Sequence, residues 1–196
     1  MKRLFIILCS SVLLFSCGED NKAHADTTSK EEHKKENTKP VDPAQEKKDF
    51  AELQEIEDHL MNTDLTIDIA TAKKLHQKAI EFSEKYPNSE HLEMALDYAA
   101  KGAENGGLYK EAVEIYHKLA NELPESNKTP IYMYEKGKVL EDKLMDKEAA
   151  KAAYKDLIKR FPRNPLSKDM KSYLKNGVID MTKEEKINYY QEKNQG

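Results

Sequence analysis

The sequence predicts an all-α protein: a stack of antiparallel helix pairs behind a polar N-terminal segment. Three observations predict it. From Phe50 onward, apolar residues recur every three or four positions in six successive stripes, the spacing of one helix face. Gly and Pro number only 7 each in 196 residues, too few for a turn-rich β-sandwich, while Ala, Lys, Glu and Leu dominate. Finally, three stripes end in a proline at one register, Pro87, Pro124 and Pro162, which lie 37 and 38 residues apart. A fixed period of this length is the mark of a stacked repeat. The charged fraction, 35%, excludes a polytopic membrane protein, and a net charge of −4 excludes a strongly basic nucleic-acid binder.

The chain opens on Met1-Lys2-Arg3, followed by an almost wholly apolar run from Leu4 to Phe15. That run is short of the ~20 residues a helix needs to span a bilayer. A basic start, a short apolar centre and a small-residue exit form a signal peptide. Its end, Leu14-Phe15-Ser16-Cys17-Gly18, resembles the lipobox of bacterial lipoproteins, in which the cysteine is acylated and becomes the first residue. The resemblance implies removal of residues 1–16 and lipidation of Cys17, as with palmitate. Phe15 is bulkier than the family's usual middle residue. Cys9 would leave with the signal, so Cys17 would be the one thiol and no disulfide or Cys-based metal site is expected. Loss of Lys2 and Arg3 leaves 30 basic against 36 acidic residues, a net charge of −6.

Residues 17–48 hold no aromatic and hardly an apolar side chain beyond Ala and Val41. Such a segment cannot bury enough surface to offset its ordering entropy, so a disordered linker is expected there, with the helical domain at 49–196.

The helices come in order. Phe50–Met61 carries Phe50, Leu53, Ile56 and Leu60, and Ile67–Tyr86 carries Leu75, Ala79 and Phe82. A third stripe, with Leu92, Leu96 and Ala99, ends at Gly106-Gly107. A fourth contains Ala112, Ile115, Tyr116 and Leu119. Thr129-Pro130, an N-cap with proline at the first helical position, opens a fifth marked by Ile131, Tyr134 and Val139. Ala150, Tyr154 and Leu157 mark the sixth. Asn164-Pro165 repeats the Thr-Pro device, Asn176-Gly177 closes that helix, and Thr182-Lys-Glu-Glu185 is a capping box for a last helix.

Within the repeat, Ala112, Tyr116, Leu119 and Pro124 match Ala150, Tyr154, Leu157 and Pro162, each 38 residues on. A small residue, an aromatic, an apolar residue and a proline at these spacings resemble the second helix of a tetratricopeptide repeat (TPR). Leu96 and Ala100 stand where the family's first helix has a large apolar and a small residue. The period exceeds the family's usual 34. Gly137 lies one residue too far from Tyr154, so one residue is inserted near Leu144–Met145. The resemblance implies a TPR-like antiparallel helix-pair solenoid of about two to three repeats with capping helices. The long connections are similar to those of an envelope subfamily that includes the outer-membrane-assembly lipoprotein and the Tol–Pal-associated repeat protein.

Stacked pairs leave a groove lined by their first helices. Family register points Met94, Asp97, Lys101 and Glu104, then Ile131, Tyr134, Lys138 and Glu141, into that groove as candidate partner-binding residues. Tyr134 is the expected anchor, because aromatics dominate interface energetics. Nothing points to catalysis. There is no His-Glu-x-x-His, no phosphate-binding glycine loop and no nucleophile elbow. The four body histidines, His59, His76, His91 and His117, read as surface residues. No cofactor or metal is expected, and with 29 Lys against 3 Arg, bidentate phosphate recognition is poorly supplied. The expected protein is therefore not an enzyme. It is a lipid-anchored scaffold that binds another envelope protein or a peptide segment, on the periplasmic face of the outer membrane, in assembly or maintenance. A self-associating structural module is the alternative.

Overall fold

A computed structural model describes residues 42–61 and 65–194. The expectations for residues 1–41, the signal, Cys17 and most of the linker, lie outside the described residues. Eight α-helices are found among the described residues: α1 (Pro43–Asp58), α2 (Ile69–Lys85), α3 (Leu92–Asn105), α4 (Tyr109–Glu122), α5 (Thr129–Lys138), α6 (Lys147–Arg160), α7 (Pro165–Lys175) and α8 (Lys183–Asn194). The fold is all-α. Extended pairing among the described residues is limited to one isolated bridge, between Met61 and Ile67. Helices α1 to α6 each pack on the next in sequence, and first helices also touch across pairs, α1 on α3 and α5 on α7. That is a helix-pair solenoid of three pairs, α1–α2, α3–α4 and α5–α6, closed by α7.

The helical region begins at Pro43, ahead of the expected start at residue 49. The cause is local and polar. Asp42 accepts a hydrogen bond from the Ala44 N–H at 3.0 Å, and Pro43 takes the first helical position. Glu46 then accepts from the Ser89 hydroxyl, and Asp49 from the Lys85 ammonium (2.7 Å) and the Tyr86 hydroxyl (2.6 Å). Hydrophobic periodicity carries none of these contacts.

The three proline-marked ends are one structure used three times. Tyr86, Leu123 and Phe161 leave α2, α4 and α6 with φ between −127 and −122° and ψ between 56 and 61°. The side chain three residues on, Ser89, Ser126 or Asn164, then accepts from the backbone N–H two residues beyond itself, at 2.9, 3.1 and 2.9 Å. The polar side chain thus satisfies an orphan donor at the start of the next helix. Ser126 also donates to Glu93 of α3, as Ser89 donates to Glu46 of α1. This equivalence marks α1 as the first helix of a repeat rather than a simple end cap. Thr129 is not the expected N-cap. It is the first residue of α5, fully buried, and its hydroxyl donates to the Leu123 carbonyl at 2.7 Å, satisfying an open acceptor at the end of α4.

Leu75, Leu119 and Leu157 are wholly buried, with Ala112 and Ala150 at the close approaches. In the fifth stripe Val139 is buried as expected, joined by Tyr132 and Met133, while Ile131 is 46% exposed. His76 and His91 are not free surface groups either: the His76 Nδ1 lies 2.9 Å from the Ala99 carbonyl, and the His91 ring stacks on Phe50 at 4.1 Å.

The inserted residue takes the form of a π-helix, Val139–Lys143, that continues α5. One turn of i→i+5 bonding absorbs one extra residue without breaking the helix. The Leu144 N–H reaches the Val139 carbonyl at 3.0 Å. Met145 then adopts φ 56°, the left-handed conformation that Gly107 (φ 81°) takes 38 residues earlier. The same turn comes next in both repeats, so the π-helix restores register before α6 begins.

Candidate functional site

The groove between α3 and α5 is a cleft of about 490 Å³. Four of the eight candidates line it: Asp97, Lys101 and Glu104 of α3, and Ile131 of α5. Met94, one turn before Asp97, is exposed on the same helix. Lining residues that register did not single out include Asn105, Tyr116, Lys128 and Glu135. Glu135 was legible, since it sits four residues beyond Ile131 and so on the same helix face.

Charge in the cleft is mixed. Asp97 is buried and holds Lys101 at 3.1 Å and Lys128 at 4.0 Å. Glu135 is half-buried; burial raises its pKa above the usual carboxylate range, and the neighbouring Glu104 adds to the rise. Three carboxylates, Asp97, Glu104 and Glu135, thus face two ammonium groups, and a positive charge placed beside Glu135 would be favoured. Ile131 lines the same cleft and is 46% exposed.

The other three candidates form a separate group toward α7. Tyr134 packs its ring against Tyr154 at 6.2 Å, and burial raises the pKa of its hydroxyl. Lys138 pairs with Asp142 at 3.6 Å. Glu141 is 7% exposed, and so is not an open groove residue. It accepts from the Tyr154 hydroxyl at 3.1 Å, from the Tyr173 hydroxyl of α7, and from the Lys186 ammonium of α8 at 2.5 Å. Burial, then the Glu141 charge, pushes the Tyr154 hydroxyl far up; for Tyr173 burial comes first, then the hydrogen bond to Glu141. Tyr134 is therefore part of the packing, whereas Ile131 is an exposed apolar side chain of the groove.

The glycine beneath this group is required by space. A Cβ on Gly137 would overlap the Tyr154 ring. Arg160, one of three arginines, is committed to structure: it donates to the Ala120 carbonyl at 2.7 Å and to Asn121 at 3.2 Å, tying the ends of α6 and α4 together.

A family pattern described as a tetratricopeptide repeat matches residues 132–164, which covers most of α5, the π-helix and α6. The chain contains a tetratricopeptide repeat. The match falls on the pair that carries Gly137, Tyr154, Leu157 and Pro162. No curated protein matches the chain. Tetratricopeptide repeats act in general as protein–protein interaction scaffolds and are typically non-catalytic. No helix among the described residues is long and apolar enough to cross a membrane, and no cluster of three or more potential metal ligands occurs among them.

Proposed function

We propose that the chain is a bacterial envelope scaffold, held at a membrane by lipid on Cys17, that captures a segment of another envelope protein in the α3–α5 groove. The observation that carries the docking site is Ile131, exposed in a cleft that Asp97, Glu104, Glu135, Lys101 and Lys128 also line. An apolar anchor ringed by charge suits an extended or helical segment with one apolar side chain and a neighbouring basic one. The support for the envelope location is the Lys2-Arg3 start, the apolar run and the Leu14-Phe15-Ser16-Cys17 exit. Outer-membrane assembly or maintenance is the role that the subfamily resemblance favours.

A photo-crosslinker at position 131 of the membrane-bound chain tests the groove. A discrete crosslinked protein, lost on Glu135→Lys, is expected; capture that is unchanged by Glu135→Lys would remove the groove from the account. Fractionation tests the anchor independently: Cys17→Ala is expected to release the chain from membranes, and unchanged membrane association would overturn the lipid anchor.

A further inference from the structure

The last helix does not behave as a core element. No residue of α8 is buried, and Ile187 and Tyr190 remain exposed. A cleft of about 240 Å³ stays open beneath it, lined by Met170 and Tyr173 of α7 and by Tyr189, Tyr190 and Lys193 of α8. Its order comes instead from within. The Thr182 N–H donates to the Glu185 carboxylate at 2.7 Å and the Glu185 N–H to the Thr182 hydroxyl at 3.2 Å, a reciprocal cap that needs no tertiary contact. Upstream, Val178 and Ile179 are fully buried, so the solenoid is already closed before α8 starts.

What does hold α8 is a small set of polar contacts at one helical spacing. Lys186 reaches Glu141 at 2.5 Å and lies over the Tyr173 ring at 5.6 Å. Three residues on, the Tyr189 hydroxyl accepts from Asn176 at 2.9 Å. One further, Tyr190 stands edge-on to Tyr189 and lines the same cleft as Met170 and Tyr173. This is how a helical ligand is read: anchors at i, i+3 and i+4 on one face, and a cation on a buried carboxylate.

We propose that the end of the first-helix face centred on Glu141 is a second docking site, for a partner helix bearing a lysine followed at three and four residues by aromatics, and that α8 is its built-in substitute. The site differs from the Ile131 groove: Glu141 is a buried carboxylate already shaped around a cation by Tyr154 and Tyr173, and only Lys186 of the three partners comes from a weakly held element. A partner helix would displace α8 by rotation about Met181–Thr182, leaving the buried Val178–Ile179 anchor in place. The proposal rests on reading this face as a docking surface, but its test uses only this chain. A missing external partner at Ile131 would not count against it, nor would its own failure count against the Ile131 groove.

The probe is a fluorescent peptide of residues 182–196, titrated into the full chain and into its Lys186→Ala/Tyr190→Ala variant. The variant, whose own α8 has lost its anchors, should bind the peptide at least tenfold more tightly than the unchanged chain. A peptide carrying Lys186→Ala should lose that gain; because this change is on the peptide, the host fold is untouched. Equal binding to both chains, or binding to neither, would overturn the proposal. A stable dimer of the unchanged chain formed by exchange of α8 would also overturn it, since α8 would then be an assembly element.

Discussion

Glu104 and Glu141 hold the same place in successive repeats, 37 residues apart, each accepting from the tyrosine of its own second helix, Tyr116 at 3.3 Å and Tyr154 at 3.1 Å. Their surroundings have diverged. Glu104 opens into the α3–α5 cleft, whereas Glu141 is shut in by Tyr173 and Lys186. The scaffold thus presents one carboxylate to solvent and commits the other to an internal cation, with no change in the frame that holds them. The role of a position in a stacked repeat is set by the helices packed on its C-terminal side, since each unit contacts only its neighbours.

Gly137→Ala strikes that comparison hardest. The preceding repeat already carries Ala100 at this position, yet at Gly137 the added methyl meets the Tyr154 ring, so a loss of about 1–3 kcal/mol in denaturant unfolding is expected. An unchanged midpoint would mean that the two pairs pack alike around this residue. Next, Glu141→Gln should cost about 1–3 kcal/mol, because it weakens a buried carboxylate with three donors, whereas Glu104→Gln should stay within about 0.5 kcal/mol. Equal costs for the two would erase the contrast between open and covered. Smaller again is the effect at the turn before the second helix. Met145→Gly should gain up to about 1 kcal/mol by relieving a left-handed conformation at an exposed side chain, and Gly107→Ala should lose a similar amount.

The last prediction concerns pH at the other end of the array. Burial alone would raise the Asp49 pKa, but hydrogen bonds from Lys85, Tyr86 and Gln45 outweigh it and hold the carboxyl at about 2. A depressed folded-state value means that the unfolded chain binds the proton first. The contribution of Asp49 is therefore fully present above its unfolded pKa of ~3.9 and fades as pH falls from there toward about 2. Melting temperature measured across that window should drop less steeply for Asp49→Asn than for the unchanged chain.

Much of the frame is legible in the residue order because it is local. The helix ends at Pro87, Pro124 and Pro162, the Asn164 cap and the Thr182–Glu185 box are each written within a few residues, and each stands where the spacing puts it. The extra residue before α6 was visible as arithmetic, but residue spacing does not say that it is absorbed as a π-helix rather than a looser turn. The start of α1 rests on the local Asp42-Pro43 cap, which apolar periodicity beginning at Phe50 does not reveal, and on polar, long-range contacts, Glu46 to Ser89 and Asp49 to Lys85. Register placed Asp97, Lys101, Glu104 and Ile131 on the groove, yet it carried no sign that Lys186, 45 residues downstream, would cover Glu141. Ile131 and Tyr134 lie within one turn of α5, and only the placement of Tyr154 shows that the Tyr134 ring packs inward.

The backbone of the junction after each second helix is locally determined. Its backbone angles, its polar cap and its carbonyl partners all lie within a handful of residues, and it is built alike at Tyr86, Leu123 and Phe161. For a protein engineer these are interchangeable seams. A second copy of residues 90–126 spliced in after Ser126 would meet, at both edges, the geometry it left, and would lengthen the groove by one unit without inventing a new joint.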